Sequence, residues 1–241
     1  MHRVLAIATL VAIPAWAAAE PDRWTLDLEG GWVSTRYNTA QVPKATGSKI
    51  DLGRLLGRKA QPTYRVALSY RDHHDGEWKL MLAPLRRATS GTLTGPAKFA
   101  GQSFAAGNVN GLYQFNSYRL TYRKPWRSGW SVGGTLKVRD AEIRLSQGAT
   151  GASEKNVGFV PLLHVHKTGT LARGLNYELE VDGLAGGPGR AVDATFRLTR
   201  PLNAKSEAFV GVRILEGGAD VPKVRNFAWL NYVTAGVTLR F

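Results

Sequence analysis

Two histidines separated by one residue, in the stretch "HVHK", are the side chains best suited to chemistry in this sequence. In a strand, residues i and i+2 point to the same face, so His164 and His166 would project side by side. An imidazole nitrogen can bind a metal or serve as a general base. No serine or carboxylate nearby in the sequence completes a catalytic triad. We therefore favour histidines that are hydrogen-bonded inside the protein, with catalysis as the alternative.

Other reactive patterns are sparse. The stretch "DHHD" (72–75) resembles a set of metal ligands, but it lies in a predicted tight turn. Two glycine-rich stretches carry charged residues that could ring one end of the molecule, and we favour solvated loops there over a calcium site. These residues are Asp182, Arg190, Asp193, Glu216 and Asp220. The chain has no cysteine and none of the GxSxG, P-loop or HExxH signatures, so we expect no metal and no cofactor.

The elements that position these side chains are predicted to be strands. Apolar and polar residues alternate with a period of two in ten stretches. The stretches are 24–34, 62–72, 77–87, 112–123, 130–144, 157–166, 174–183, 190–199, 206–215 and 227–241. Tight turns alternate with longer connections, of which 35–61 and 88–111 are the longest. This pattern predicts an all-β fold, a single closed antiparallel transmembrane β-barrel, with ten strands favoured and eight or twelve as alternatives.

Tryptophans mark the ends of the predicted strands. Beyond residue 19 they are Trp24, Trp32, Trp78, Trp126, Trp130 and Trp229. An indole ring has an apolar body and one N–H donor, which suits a membrane–water boundary. Trp24 and Trp32 share a face and lie eight residues apart, about 26 Å along a strand. Because this matches the apolar band of membrane barrels, we predict an aromatic girdle.

Strand parity assigns many charged side chains to the lumen. They are Asp27, Glu29, Arg65, Arg71, Lys79, Arg119, Arg123, Lys137, Arg139, Glu178, Glu180, Asp182, Asp193, Arg197, Arg213 and Arg240. The first, seventh and eighth strands carry acids, whereas the second, fourth and fifth carry bases. A barrel of about ten strands is narrow. We therefore favour pairing across a largely closed lumen over a thin wet path.

One stretch breaks its own alternation. In 130–144 the apolar residues change parity near Arg139 and Asp140. Two interpretations are open: a β-bulge, or the end of the membrane-embedded part of the strand.

The start of the chain and its charge predict export and anionic partners. A short basic start, a brief apolar run and small residues ending at Ala19 predict a signal peptide over 1–19, followed by a barrel over 20–241. The formal net charge is +14, which favours lipid phosphates over nucleic acid for an exported protein. The first long loop is expected to face such lipid phosphates through its cations. These are Arg36, Lys44, Lys49, Arg54, Arg58 and Lys59.

The export signal, alternating strands, aromatic strand ends and terminal "AGVTLRF" resemble the small outer-membrane β-barrels of Gram-negative bacteria. The resemblance implies an outer-membrane location, partners in outer-membrane lipid, lipopolysaccharide and the barrel-assembly machinery, and a monomer. It also implies that Phe241, Leu239 and Val237 form the signal that this machinery recognises. The same resemblance implies that the phosphates facing the cations of the first long loop are those of lipopolysaccharide. Lipid A deacylases of this class pair a histidine with a serine two residues later, and here that place holds His166.

Three functions remain open from the sequence. The favoured one is a non-enzymatic barrel with a structural or narrow-pore role in the cell envelope. The second is an outer-membrane enzyme that acts on lipid A or peptide with His164 or His166 as the base. The third is a soluble periplasmic binding barrel, which requires its apolar faces to point inward.

Overall fold

The computed structural model describes residues 22–241, so the expected signal peptide lies outside the described residues. The strands are β1 (Trp24–Gln41), β2 (Ile50–Asp51), β3 (Gln61–Arg71), β4 (Glu77–Ala83), β5 (Arg86–Leu93), β6 (Ala97–Phe99), β7 (Gln102–Phe104), β8 (Gly107–Arg127), β9 (Trp130–Gln147), β10 (Thr150–Ala172), β11 (Leu175–Gly186), β12 (Gly189–Pro201), β13 (Ser206–Val221) and β14 (Val224–Arg240). A four-residue helix, α1, spans Leu52–Leu55. Within the described residues, no helix is long and apolar enough to cross a membrane.

The strands close into a ten-stave antiparallel barrel, as predicted. The staves are β1, β3, β4 with β5, and β8 to β14 in order; β4 and β5 follow each other along β8 and form one stave. β14 pairs with β1 and removes both sheet edges. At the seam, the Trp24 N–H donates to the Phe241 carbonyl at 2.9 Å, and the Phe241 N–H donates to the Trp24 carbonyl at 3.0 Å. The last residue of the chain is therefore held by the first stave.

One end of the barrel, the turn end, has only short turns. The other, the loop end, carries the two longest connections, between β1 and β3 and between β5 and β8, together with three two-residue turns at 148–149, 187–188 and 222–223. The turn over 72–76 illustrates the first kind. Asp72 Oδ1 accepts hydrogen bonds from the backbone N–H groups of His74 and Gly76, both at 2.8 Å. "DHHD" thus builds a turn, and its first carboxylate is used by the backbone.

An apolar band surrounds the outside of the barrel. Its members are exposed and point away from the lumen. They include Leu28, Leu68, Leu80, Leu82, Leu120, Leu136, Phe159, Leu163, Phe196, Val210, Val212 and Val233. A soluble barrel would bury such residues, so the apolar band contradicts the soluble alternative.

The inner and outer faces exchange their chemistry towards the loop end. In β9, the inward residues change from Lys137 and Arg139 to Ile143 and Leu145, which are 5% and 0% exposed. The pairing of β9 with β8 and β10 continues without a shift across Arg139 and Asp140. The β-bulge interpretation was therefore wrong. The parity change in the sequence arises because the strand passes from a polar interior with an apolar exterior to an apolar interior with a polar exterior.

The two longest connections fold into the loop end instead of projecting from it. We call residues 42–60, which include α1, and residues 94–106, which include the β6–β7 hairpin, the cap. The two parts of the cap bind each other, since the Ala100 N–H donates to the Val42 carbonyl at 2.9 Å and the Ser48 N–H to the Lys98 carbonyl at 2.8 Å. Much of the predicted loop sequence is strand: β1 continues to Gln41 and β5 begins at Arg86.

The cap completes an apolar core inside the barrel. Its buried residues include Val33, Val42, Leu52, Leu55, Leu56, Leu85, Phe99, Phe104, Val109, Tyr113, Ile143, Leu145, Leu215, Leu230 and Tyr232. Two glycines make room for α1. A Cβ atom at Gly91 would lie 2.0 Å from the Leu55 carbonyl oxygen, and one at Gly111 would lie 2.4 Å from Leu56 Cδ2. The Asp51 carboxylate caps α1 by accepting the Arg54 N–H at 2.9 Å.

Candidate functional site: a filled lumen and a basic rim

The lumen between the cap and the turn end is filled by ion pairs, which we call the plug. Arg119, on β8, lies at its centre and is 2% exposed. Its guanidinium donates to Asp182 Oδ2 at 3.0 Å, to Asp193 Oδ2, and to Ser117 Oγ at 3.0 Å. Asp193 also receives two hydrogen bonds from Arg213, at 2.7 and 2.6 Å. Acids of β11 and β12 are thus bound to bases of β8 and β13.

A second cluster of the plug joins the first stave to β12 and β3. Glu29 Oε2 accepts from Arg65 at 2.8 Å and from Arg197 at 2.7 Å. Arg197 also lies 3.3 Å from Asp27 and 3.5 Å from Glu178. Lys79 Nζ donates to Glu180 Oε2 at 2.5 Å. Because buried charges are costly unless they are paired, these contacts account for the number of charged residues that a narrow lumen can hold.

Three cations stack on aromatic rings inside the barrel. Arg197 lies 4.1 Å from the Phe209 ring centroid, Arg213 lies 4.6 Å from that of Tyr232, and Lys137 lies 4.7 Å from that of Phe115. A cation is attracted to the face of an aromatic ring, most strongly where water is excluded. Tyr232 belongs to the apolar core, and Phe115 packs against it. Two of these contacts therefore join the plug to the core beneath the cap.

Both candidate histidines belong to the plug. His164 Nδ1 lies 2.8 Å from Asp182 Oδ1, and His166 Nε2 lies 2.9 Å from Glu178 Oε1. Thr135 Oγ1 also donates to Asp182 Oδ1 at 2.7 Å. His164 Nε2 is buried and has no hydrogen-bond partner among the described residues. A carboxylate thus orients each imidazole, as in a catalytic acid–base dyad, but both pairs lie inside a packed lumen.

The same region contains a possible set of metal ligands. One ligand atom each from His164, Glu180 and Asp182 lies within 4.8 Å of the others. However, Lys79 and Arg119 already neutralise the two carboxylates at 2.5 and 3.0 Å. A divalent cation would have to displace or approach these side chains against charge repulsion. We therefore assign the three residues to the plug.

Most of the side chains that strand parity assigned to the lumen lie inside the barrel. Buried in the lumen are Glu29, Arg65, Lys79, Arg119, Arg123, Lys137, Glu180, Asp182, Asp193, Arg197 and Arg213. Partly buried there are Asp27, Arg139 and Glu178. Arg71 and Arg240 lie at the turn end; Arg71 is exposed, and Arg240 binds Glu207 at 2.7 Å. Sequence reasoning missed the apolar half of the interior, although the parity change in β9 was a signal of it.

The predicted girdle residues lie at the surface. Trp24, Trp32, Trp78, Trp126 and Trp130 are exposed, and Trp229 is partly exposed. Trp24 contacts Tyr70, and Trp78 contacts Tyr122, with ring centroids 4.8 and 4.5 Å apart. Of the predicted assembly signal, Leu239 is exposed, and Val237 and Phe241 are partly exposed.

Beyond the apolar band, the loop end carries a group of cations on β1, β12 and the first long connection. We call Arg36, Lys44, Lys49 and Arg190 the basic rim. Arg36 stacks on Trp229 with its guanidinium carbon 4.7 Å from the ring centroid, and Arg190 stacks on Phe227 at 4.8 Å. Arg190 also donates to both oxygens of Glu216, at 2.8 to 3.2 Å. The hydrogen bond from Arg190 lowers the pKa of Glu216, so this carboxylate stays ionised. Aromatic rings thus hold two cations of the rim in place.

A crevice of about 360 Å³ opens beside the basic rim. Lys49, Arg190, Asp220, Arg225 and Phe227 are among its lining residues. Within the rim, Lys44 Nζ binds Asp220 at 2.7 Å, and its hydrogen bond lowers the pKa of that carboxyl.

The six cations predicted to face lipopolysaccharide therefore differ in their contacts. Arg36 stacks on a ring and Lys49 lines the crevice, whereas Lys44 and Arg58 bind acids, Asp220 and Asp51. Arg54, within α1, and Lys59, which follows it, are exposed.

Comparisons with known proteins agree with the fold. No family model and no curated protein matches the chain. Among solved structures, the outer membrane protease OmpT from Escherichia coli matches with a TM-score of 0.60 at 8% identity, over 92% of this chain and 97% of that one. The Ail protein of Yersinia pestis, in complex with sucrose octasulfate, covers 91% of this chain and 99% of its own at 10% identity and a TM-score of 0.42. The neisserial surface protein NspA matches 90% and 97% at 9% identity and 0.36. The fold is that of the small outer-membrane β-barrels.

Proposed function

We propose that this protein is a closed, non-conducting barrel of the Gram-negative outer membrane, with a basic rim that binds lipopolysaccharide phosphates. The observation that carries the proposal is the reversal of polarity along the strands. A polar interior behind an apolar exterior suits lipid, and an apolar interior behind a polar exterior suits water. The reversal in β9 then marks the outer surface of the membrane. It corresponds to the second interpretation of the parity change, the end of the membrane-embedded part.

The orientation follows from the connections. Outer-membrane barrels place short turns in the periplasm and long connections outside the cell. The turn end then faces the periplasm, where the barrel-assembly machinery would meet the terminal strand with Phe241. The loop end, with the cap and the basic rim, faces the outside. We propose a monomer, because β14 pairs with β1 and a single chain closes the barrel.

Two layers support a closed interior. The cap covers the loop end with buried Phe99 and Phe104, and the plug fills the lumen below it with paired charges. The cavity beneath α1, lined by Val33, Leu56 and other residues, measures only about 10 Å³. A space of this size is close to that of a single water molecule. This support favours an envelope role over the narrow-pore alternative.

Conductance in planar bilayers tests closure. We expect no steady conductance from the wild-type protein, with a known porin in the same bilayer as the positive control. A variant in which a short Gly–Ser turn replaces residues 95–106 should also stay silent, because the plug remains. Steady openings of the wild type would contradict the closed barrel. Openings only after removal of 95–106 would show that the cap, and not the plug, closes it.

Lipopolysaccharide binding tests the rim. The double variant Arg36→Ala, Arg190→Ala removes two cations that stack on rings, and we expect about tenfold weaker binding, equivalent to about 1.4 kcal/mol. Arg127 and Arg200 provide a matched control, since both are exposed at the turn end and Arg127 stacks on Trp126 at 4.9 Å. Native mass spectrometry of purified barrels titrated with lipopolysaccharide measures the change. Equal losses in Arg127→Ala, Arg200→Ala would contradict a site on the rim.

The alternative function is an outer-membrane enzyme with a histidine base. His164 and His166 are 1% and 7% exposed, and each is bound to an acid of β11 within the plug. Catalysis needs a base within hydrogen-bond reach of its substrate, so the geometry favours the non-enzymatic role. Lipid A mass spectra from cells with wild type and with His164→Ala decide between them, since an enzyme would produce a modified lipid only with the wild type.

A further inference from the structure

The ladder between β10 and β11 ends before either strand does. Its last pair towards the loop end is Leu163 with Gly183. β10 extends a further thirteen residues towards the cap, back to Thr150, and pairs there only with β9. β11 continues to Gly186 and pairs there only with β12. In the described part of the chain, this leaves a strand edge of β10 without a partner strand beside a short β11–β12 hairpin.

Part of this edge lies within the apolar band. The outward side chains of Val157, Phe159 and Leu163 are each at least 67% exposed. Water does not reach backbone groups at that depth of a bilayer, so an open strand edge is costly there unless something covers it. Pro161 lies in the middle of the edge and has no N–H to leave unpaired.

Leu184 shows that the gap opens into the barrel. Its parity is that of Glu180 and Asp182, which point into the lumen and are 7% and 1% exposed. Leu184 is nevertheless 43% exposed. Across the gap, the inward residues of β10 are the apolar Val160 and Leu162. An inward leucine that is open to the surroundings and faces apolar neighbours indicates an apolar opening through the wall.

The gap is closed both towards the turn end (below) and towards the loop end (above). It therefore forms a window in the barrel wall. Below it, the last pair of the ladder, Leu163 with Gly183, closes the wall. Above it, Lys223 Nζ of the β13–β14 hairpin lies 2.9 Å from Glu154 of β10.

Lys155 and Arg190 lie on the strands that flank the window and pair with Glu142 at 3.7 Å and Glu216 at 2.8 Å. In all three pairs the side chain of the cation is at least 51% exposed and that of the acid at most 13%, so the cations face outward. The window therefore combines an apolar opening at membrane depth with positive charge at its outer edge.

We propose that this window holds an acyl chain of lipopolysaccharide, whose phosphates are bound by the cations above it. The proposal rests on the placement in the outer membrane given above. The chain would cover Leu184 and Val160 and shield the β10 edge, while Lys155, Lys223 and Arg190 lie at the level of the headgroup. Charge favours this anionic, multiply acylated lipid over a zwitterionic phospholipid, and its location in the outer leaflet matches the height of the window.

Site-specific photocrosslinking tests the window. A photoactivatable diazirine amino acid is introduced at position 184, at 179 as an outward control, and at 230 as an inward control beneath the cap. Leu179 lies on the outward face of β11, and Leu230 is 3% exposed. After irradiation in vesicles of phosphatidylethanolamine with lipopolysaccharide, mass spectrometry identifies any lipid on the modified peptide. We expect lipid A adducts at 184 at a yield within about threefold of that at 179, and none at 230.

The outcomes separate the two proposals. Adducts at 179 without adducts at 184 would overturn the window and leave the membrane barrel intact. A lack of adducts at 179 would overturn the membrane placement itself. Phospholipid adducts alone at 184 would overturn the assignment to lipopolysaccharide.

A blocking variant strengthens the test. Val160→Trp places a large ring in the window, so the adduct at 184 should fall at least fivefold while that at 179 is unchanged. Val157→Trp is the matched control, because it adds the same ring on the outward face of the same strand. An equal fall with both variants would contradict an opening at Val160.

Discussion

Replacing Asp193 by alanine lowers the free energy of unfolding of the barrel by about 3–5 kcal/mol, the usual cost of removing one partner from a buried ion pair. Asp193 binds Arg119 and receives two hydrogen bonds from Arg213. Its loss leaves two buried guanidinium groups short of their acid. The effect is larger than at any exposed pair because water cannot replace the missing carboxylate.

Urea unfolding of the protein in vesicles, followed by tryptophan fluorescence, measures this change. Glu207→Ala is the matched control. Glu207 binds Arg240 at 2.7 Å, but Arg240 is 38% exposed, so the expected loss is below about 1 kcal/mol. The double variant Asp193→Ala, Arg213→Ala should lose less than the sum of the two single variants, since each removes the same contact. Equal losses for Asp193→Ala and Glu207→Ala would contradict a tightly coupled plug.

Replacing Phe99 by alanine loosens the cap without unfolding the barrel. Phe99 is 0% exposed and packs in the apolar core, and truncation of a buried phenylalanine costs about 3–5 kcal/mol. The β6–β7 hairpin forms its own two-stranded sheet and pairs with none of the staves, so this cost appears as local opening. The open population should rise by about two to three and a half powers of ten, since each 1.4 kcal/mol is a factor of ten.

Digestion of intact cells with a protease of broad specificity measures the opening, because cleavage between residues 94 and 106 tracks the open population when reclosing is fast. Lys98→Ala is the control, since Lys98 lies in the same hairpin with an exposed side chain. We expect faster cleavage of Phe99→Ala and an unchanged rate for Lys98→Ala. Resistance of both variants would show that other contacts hold the hairpin, and sensitivity of both would show that it is already open.

The sequence by itself determined the secondary structure and the direction of the side chains. A strand has a strict period of two, so alternation identified the ten staves and placed residues such as Arg119 and Asp193 on the inward face without knowledge of their neighbours. The lengths of the connections were predicted less well, because three of the five at the loop end are two-residue turns. Strand ends were less well predicted, because β1, β10 and β13 extend beyond the stretches that alternate cleanly.

Only the tertiary structure decided what the interior contains. The partners of Arg119 lie 63 and 74 residues away, and a period of two does not show which inward acid meets which inward base. The cap is formed by segments that were predicted to be exposed loops. Its burial depends on the space between the staves, which the local sequence pattern does not show. The change in parity at Arg139 has the same origin. Alternation shows only that one face of a strand is apolar. Whether that face contacts lipid or a buried core depends on what the closed barrel places against it.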